Sequence, residues 1–272
     1  MKDKKNEILS EYSKAIEGID KTVVSNTSHA RFADYSKDDL KNLPEGIKEQ
    51  SFGCGNPLAF SDVQLGQTVL DLGCGAGLDL LLAAERVGKN GKVLGVDIND
   101  DMLALARKRI SNSHNIEVRK GEIENLPIES ASIDWVISNC VINLSQNKQQ
   151  AFDEISRVLT PQGKMLVSDI VAEKLPWWVR HSGVLNAACG GGVISEKKYL
   201  KGLRAAGMKE CKVIARQHYD PSQLASIVTE AAPKFLRNVS CCGHSILHSI
   251  LTRLAKPIAN SLWSAKISAN AK

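Results

Sequence analysis

With 272 residues, 43% of them hydrophobic and 24% charged, the chain has the composition of a globular protein with one large core, which excludes disordered and fibrous classes. No apolar run reaches the roughly 18 residues that span a bilayer, and the charged start Met1-Lys-Asp-Lys-Lys5 is followed by no apolar leader, so the seven irregularly spaced cysteines read as reduced thiols of a cytoplasmic protein. The net charge of +5 gathers beyond Ala231, where Lys234, Arg237, Arg253, Lys256, Lys266 and Lys272 meet no acid; without interleaved aromatics or a recognisable module this reads as a solvated helix face, not a nucleic-acid surface.

Residues 4–19 carry the period of an amphipathic helix, and 20–50 are polar and broken by Pro44-Glu-Gly46, so 1–50 reads as an N-terminal helix and cap. From 51 to 172, runs rich in Val, Ile and Leu at 68–72, 92–97, 116–120, 133–139 and 163–169 alternate with helical patterns at 78–88, 100–112 and 148–159, the second capped by Asn99 or Asp100. Such alternation predicts an α/β fold, a doubly wound Rossmann-like sheet with helices on both faces. The stretch 173–192, with Trp177-Trp178 and a glycine run, reads as an insertion over one end of the sheet; Ser195 caps a helix to Ala206, and 211–215 is a strand, so that 173–217 completes the sheet. Beyond Pro221 a basic helical tail is expected within 218–272, with Ile246, Leu247, Ile250, Leu251, Leu254 and Ile258 on one stripe.

Asp71-Leu-Gly-Cys-Gly-Ala-Gly77 closes the first strand and opens a helix. Glycines at that bend let the backbone approach a ligand that a Cβ would exclude. The spacing G-x-G-x-G differs from the pyrophosphate-binding G-x-G-x-x-G, and the acid before it suits a cationic amino group, which favours S-adenosylmethionine over a dinucleotide. Asp97 ends the second strand, where a carboxylate accepts from both ribose hydroxyls. Gly121-Glu-Ile-Glu124 follows the third strand and sets Glu122 and Ile123 near an adenine edge and face.

Three cysteines stand in unusual company: Cys54 in Phe52-Gly-Cys-Gly-Asn-Pro57, Cys140 in Ser138-Asn-Cys-Val-Ile-Asn-Leu144, and Cys189 in Cys189-Gly-Gly-Gly192. Their separations lie far outside zinc patterns, so no metal site is expected. Core packing is the competing reading for any free cysteine; Cys74 reads as a small filler of the glycine loop and Cys211 as core.

These motifs, with Tyr35-Ser-Lys-Asp-Asp-Leu40 and Leu43-Pro-Glu-Gly46, resemble the class I S-adenosylmethionine-dependent methyltransferases, and more closely the arsenite methyltransferases, over about residues 35–215. The resemblance implies that Cys54, Cys140 and Cys189 hold trivalent arsenic as thiolates. It further implies a cofactor pocket of Asp71, Gly73, Gly75, Asp97, Ile98, Glu122, Ile123 and Asn139. Trivalent arsenic is a soft, thiophilic centre whose lone pair is the nucleophile, so the reaction requires holding and alignment and no protein base, consistent with the lack of a His-carboxylate pair. Arsenite or arsenic-thiol conjugates would be the substrate, and a thiol reductant such as thioredoxin or glutathione-like thiols the partner. Where the family often has a bulkier aliphatic residue after the third cysteine, this chain has glycine, which suggests a looser loop. Cys241-Cys242, ahead of the apolar stripe, is either an auxiliary arsenic-capturing or redox pair, or an idle surface pair. Two alternatives stand beside arsenic methylation: methylation of a small organic acceptor, and a non-catalytic thiol-based metalloid-binding protein.

Overall fold

The computed structural model describes Tyr35 and residues 55–173, 192–221, 259 and 261–272. Within these, the expected alternation is present. The strands are β1 (Thr68–Leu72), β2 (Lys92–Asp97), β3 (Ile116–Lys120), β4 (Ile133–Asn139), β5 (Leu159–Ala172), β6 (Lys209–His218) and β7 (Leu262–Asn270). The helices are α1 (Leu78–Val87), α2 (Asp100–Arg109), α3 (Lys148–Val158) and α4 (Glu196–Ala205), with 3-10 turns at Leu58–Phe60 and Ile142–Leu144. The helix starts follow capping chemistry: Asn99 Oδ1 accepts from the N–H groups of Asp101 and Met102, Asn147 from that of Gln150, and Ser195 from that of Lys198.

One seven-stranded sheet orders the strands β3-β2-β1-β4-β5-β7-β6. From β3 across to β5 neighbours run parallel, and β7 is antiparallel to both β5 and β6. A parallel strand covered on both faces needs apolar residues throughout, and four of the five residues of β1 and five of the seven of β4 are buried. On one side α3 buries Ala151, Phe152, Ile155 and Val158, a single helical stripe, and Phe152 meets Tyr199 of α4 with ring centroids 5.0 Å apart.

The helical tail expected beyond Pro221 is corrected over 262–270, which form β7; the apolar stripe 246–258 lies outside the described residues. Trp263, Ala265, Ile267 and Ala269 alternate with Ser264, Lys266 and Ser268, and the first four join the main core. That period of two is a strand signal. Its Ala, Ser and Lys content reads as helix, and the fold overrides that preference because the segment fills the gap between β5 and β6, paired Ser168 with Lys266 and Val213 with Ile267. β5 and β6 also extend past the expected 163–169 and 211–215: β5 runs on to Ala172 and β6 to His218 along β7, and Leu159 at the start of β5 pairs with Ile133 of β4.

Candidate active site

The parallel order reverses between β1 and β4, and the crevice at the carboxyl ends of the strands is where an open α/β sheet binds its ligand. A cavity of about 430 Å³ opens there. Asp71, Gly73, Gly75, Asp97, Ile98, Glu122, Ile123 and Asn139 all line it, and Cys140 is on its wall.

Its floor is the loop after β1. Gly73 and Cys74 donate their N–H groups to Val96 O at 2.7 and 3.2 Å, which ties the loop to β2. Gly73 has φ +66°, and a Cβ there would lie 2.2 Å from Val141 Cγ2, so both conformation and space require glycine. The Asp97 carboxylate accepts from Gly75 N at 2.8 Å and from Asn99 N at 2.9 Å, which fixes it at the mouth of β2. On the far wall, Glu124 Oε1 accepts from Ser145 Oγ at 2.7 Å and Gln146 N at 3.1 Å, joining the loop after β3 to the turn after β4.

The electrostatics of this cavity are one-sided. Asp71, Asp79, Asp97, Glu122 and Glu124 line it, and among the described residues no Lys, Arg or His does. Asp71 and Asp79 are 2% and 7% exposed. Burial, then the charges of Asp79 and Asp97, push the Asp71 carboxyl well above its usual range. Burial raises Asp79 to about 6 against the hydrogen bonds from Tyr35 and Asn139, and it raises Asp97 against three backbone N–H bonds. Buried carboxylates gathered on one wall favour a cationic ligand and repel a pyrophosphate.

The other half of the site is built around β4. Asn139 binds both backbone groups of Gly55: its Nδ2 donates to Gly55 O at 2.5 Å and its Oδ1 accepts from Gly55 N at 3.2 Å. The same Nδ2 donates to Tyr35 Oη at 3.1 Å, and that hydroxyl donates to Asp79 Oδ1 at 2.8 Å. Gly55 packs so closely that a Cβ would fall 1.9 Å from Ser168 Oγ. Cys140 N donates to Ser168 O at 2.8 Å, and Cys140 itself has φ +62°. A left-handed conformation is rare for a residue with a Cβ and persists where the surroundings impose it, commonly at functional sites. The expectation of reduced thiols is corrected at Cys140, which is disulfide-bonded, while Cys74 and Cys211 are free and buried.

A family model described as a methyltransferase domain matches residues 64–207, the stretch from the start of β1 to the end of α4. The chain belongs to the methyltransferase-domain family. Within that family it resembles arsenite methyltransferases. One from Halobacterium salinarum is 46% identical over 139 residues, 50% of this chain and 35% of that protein. One from Mus musculus is 33% identical over 172 residues, 59% of this chain and 45% of that protein. The chain therefore spans half or less of the length of these two relatives. A crystal structure of an arsenic(III) S-adenosylmethionine methyltransferase from Chlamydomonas reinhardtii superposes with TM-score 0.67 at 28% identity, covering 86% of this chain and 72% of that one.

In this methyltransferase domain the expected pocket residues converge, while Cys54, Cys189, Cys241 and Cys242 lie outside the described residues. Cys211 is core, its Sγ donating to Met208 O at 3.5 Å. Cys74, expected as filler, is 6% exposed, and burial first raises its thiol well above the usual value, which suits filler and not a thiolate. The sequence reading missed Asp79 and the part played by Tyr35. Asp79 left a signal: an acid in the first turn of α1, set between the buried Leu78 and Leu80. Tyr35 left none, because its partner Asp79 is 44 positions away.

Proposed function

We propose that this methyltransferase domain transfers a methyl group from S-adenosylmethionine to trivalent arsenic held by the thiolates of Cys54, Cys140 and Cys189. The observation that carries the proposal is the pairing in one cavity of an acidic wall with Cys140 after the end of β4. The cofactor, when bound, supplies an electrophilic methyl group on a sulfonium. Asp97 would accept from the ribose hydroxyls, Glu122 and Ile123 would hold the adenine, and Asp71 would meet the cationic amino-acid end; all four line the cavity. Gly73 and Gly75 leave room for that end beside the backbone. On the other wall Cys140 is bound through its amide to β5, while the neighbouring Asn139 grips the peptide of Gly55, the residue after Cys54.

Three thiolates displace the hydroxyls of arsenous acid and leave arsenic its lone pair. That pair forms the arsenic–carbon bond as the carbon–sulfur bond breaks, so arsenic loses two electrons formally and no proton leaves it. Alignment of arsenic, carbon and sulfur then becomes the main demand on the protein, and positioning contributes roughly 7 to 11 kcal/mol in favourable cases. A disulfide-bonded Cys140 is no ligand until reduced, so a thiol reductant such as thioredoxin or glutathione-like thiols is the second partner, in a reducing compartment such as the cytoplasm. Among the described residues no helix is long and apolar enough to cross a membrane. Cys241 and Cys242 serve as an auxiliary capture or redox pair.

The test is speciation of arsenic after incubation with labelled cofactor, arsenite and excess thiol. Methylated arsenic is expected from the wild type, and Cys140→Ser is expected to lower the rate by at least about 100-fold with cofactor affinity within about twofold. Full activity in Cys140→Ser removes the ligand set, and arsenite-independent methylation of an organic acceptor removes the substrate.

A further inference from the structure

Behind the thiol wall lies a second buried polar cluster that the reaction above does not use. Asn143, three residues past Cys140, is 2% exposed. Its Nδ2 donates to Asp169 Oδ1 at 2.6 Å and to Ile170 O at 2.7 Å, so both hydrogens tie the turn after β4 to β5. Tyr199 of α4 donates to Asp169 Oδ2 at 3.3 Å. Lys148 Nζ, in the first turn of α3, donates to Asn143 O at 3.1 Å and Ser145 O at 3.0 Å. Against that same Asn143 carbonyl lies Gly192, three residues past Cys189: a Cβ on it would be 1.9 Å from Asn143 O and 2.6 Å from Lys148 Nζ. Ala172 N donates to Ile194 O at 3.2 Å, which holds the following residues on the end of β5. The glycine run expected to make a looser loop therefore ends on a contact that admits only glycine.

Asn143 Oδ1 is buried with no hydrogen-bond partner. An apolar residue of similar size would avoid that unmet acceptor, so the amide is kept for its two donors. Those donors hold one element directionally, and the backbone at Gly192 packs against the carbonyl of the same residue.

We propose that Asn143, oriented by Asp169, is a positioning residue of the acceptor site, setting the turn that carries Cys140 and the segment that leaves Cys189 in one register. The inference rests on the reading of Cys140 and Cys189 as arsenic ligands. Asn143 is absent from the lining of the cofactor cavity, so its loss should act on the thiols and spare cofactor affinity.

The experiment compares Asn143→Ala and Asp169→Ala with Asp169→Asn, which keeps an acceptor for Asn143 and acts as the conservative rescue. Three quantities are read: cofactor Kd by calorimetry, the KM and kcat for arsenite, and the rate at which dibromobimane, fluorescent once it links two thiols, bridges Cys140 and Cys189 in reduced protein carrying Cys54→Ser, Cys241→Ser and Cys242→Ser. Both alanine variants are expected to raise the arsenite KM about tenfold and slow bridging about tenfold, with kcat within about threefold and cofactor Kd within about twofold; Asp169→Asn stays within about threefold throughout. Unchanged bridging in Asn143→Ala, or a cofactor Kd that rises in step with the arsenite KM, overturns the proposal. Should Asn143→Ala fail to fold, Asn143→Asp, which keeps the shape and loses the donors, carries the same readouts. The bridging arm needs no arsenic, so slowed bridging in a protein whose wild type does not methylate arsenite supports the clamp while the proposed reaction falls.

Discussion

The acid half of the cleft and the thiol half are held by different kinds of bond. Asp71 and Asp97 are the ends of strands laddered to their neighbours, and the glycine loop is tied by backbone N–H groups to β2 and to Asp97 itself. The thiol half depends on side chains that reach across the fold: Asn139 holds Gly55, and Asn143 takes its bearing from Asp169. A ladder survives the loss of one side chain, whereas a bridge made by one amide does not. The cofactor half should therefore be fixed before any ligand arrives, and the acceptor half should be the part that substitutions dislocate.

The largest expected effect that separates the halves is on the acid side. Asp97→Ala removes the acceptor for Gly75 N and Asn99 N as well as the proposed ribose partner, and it should raise the cofactor Kd by about 50-fold, the range of a lost charge-assisted hydrogen bond, while thiol bridging stays at the wild-type rate. Calorimetry and dibromobimane read the two halves separately. Asn139→Ala should do the opposite in part: loss of both bonds to Gly55 raises the arsenite KM about tenfold, with a smaller rise in cofactor Kd because Asn139 also borders the cavity. Equal losses in both constants would mean that the halves are one unit.

A smaller effect comes from pH. With Asp79 raised to about 6, its negative charge is present above that pH and lost as pH falls through it, so affinity for a cationic cofactor should weaken by up to about fourfold from pH 7.5 to 5.5. Asp79→Asn should flatten the profile at the weaker value. A profile unchanged by that substitution removes Asp79 from the cation-binding wall.

The last effect is on stability and not on affinity. Asp169 is raised to about 7 in the fold, mainly by burial, against about 4 unfolded, so the fold favours its neutral form. Its contribution is most favourable below about pH 4 and is lost as pH rises through 7. The melting temperature of Asp169→Asn relative to wild type should accordingly increase between pH 4 and 7 and level off above, by roughly ten degrees. A difference independent of pH would show that the carboxyl is not desolvated by the α3–α4 side of the core.

Legibility in the sequence follows the same division. β1 to β4 were readable residue for residue, because a strand buried on both faces must be an apolar run and its helix must begin at a cap such as Asn99. All eight expected positions line the cavity; Asp71, the glycines, Asp97, Glu122 and Ile123 stand in short motifs at strand ends, whereas Ile98 and Asn139 came only from the family resemblance. β7 was misread although its period of two was present in Trp263, Ala265, Ile267 and Ala269, since alanine, serine and lysine prefer helix and its two partners, β5 and β6, are far away along the chain. Asp79 was passed over inside an apolar helical run.

What the sequence determined by itself is whatever depends on neighbours along the chain: the order of strands and helices, the glycine loop, the acids at the strand ends and the placement of Cys140 after β4. The tertiary structure alone decided the insertion of β7 between β5 and β6, the burial that lifts Asp71, Asp79 and Asp169, and the approach of Gly55 to Asn139 and of Gly192 to Asn143. Desolvation and hydrogen bonding across many residues are properties of the packed interior, where water has left and distant segments become neighbours, and no local pattern records them.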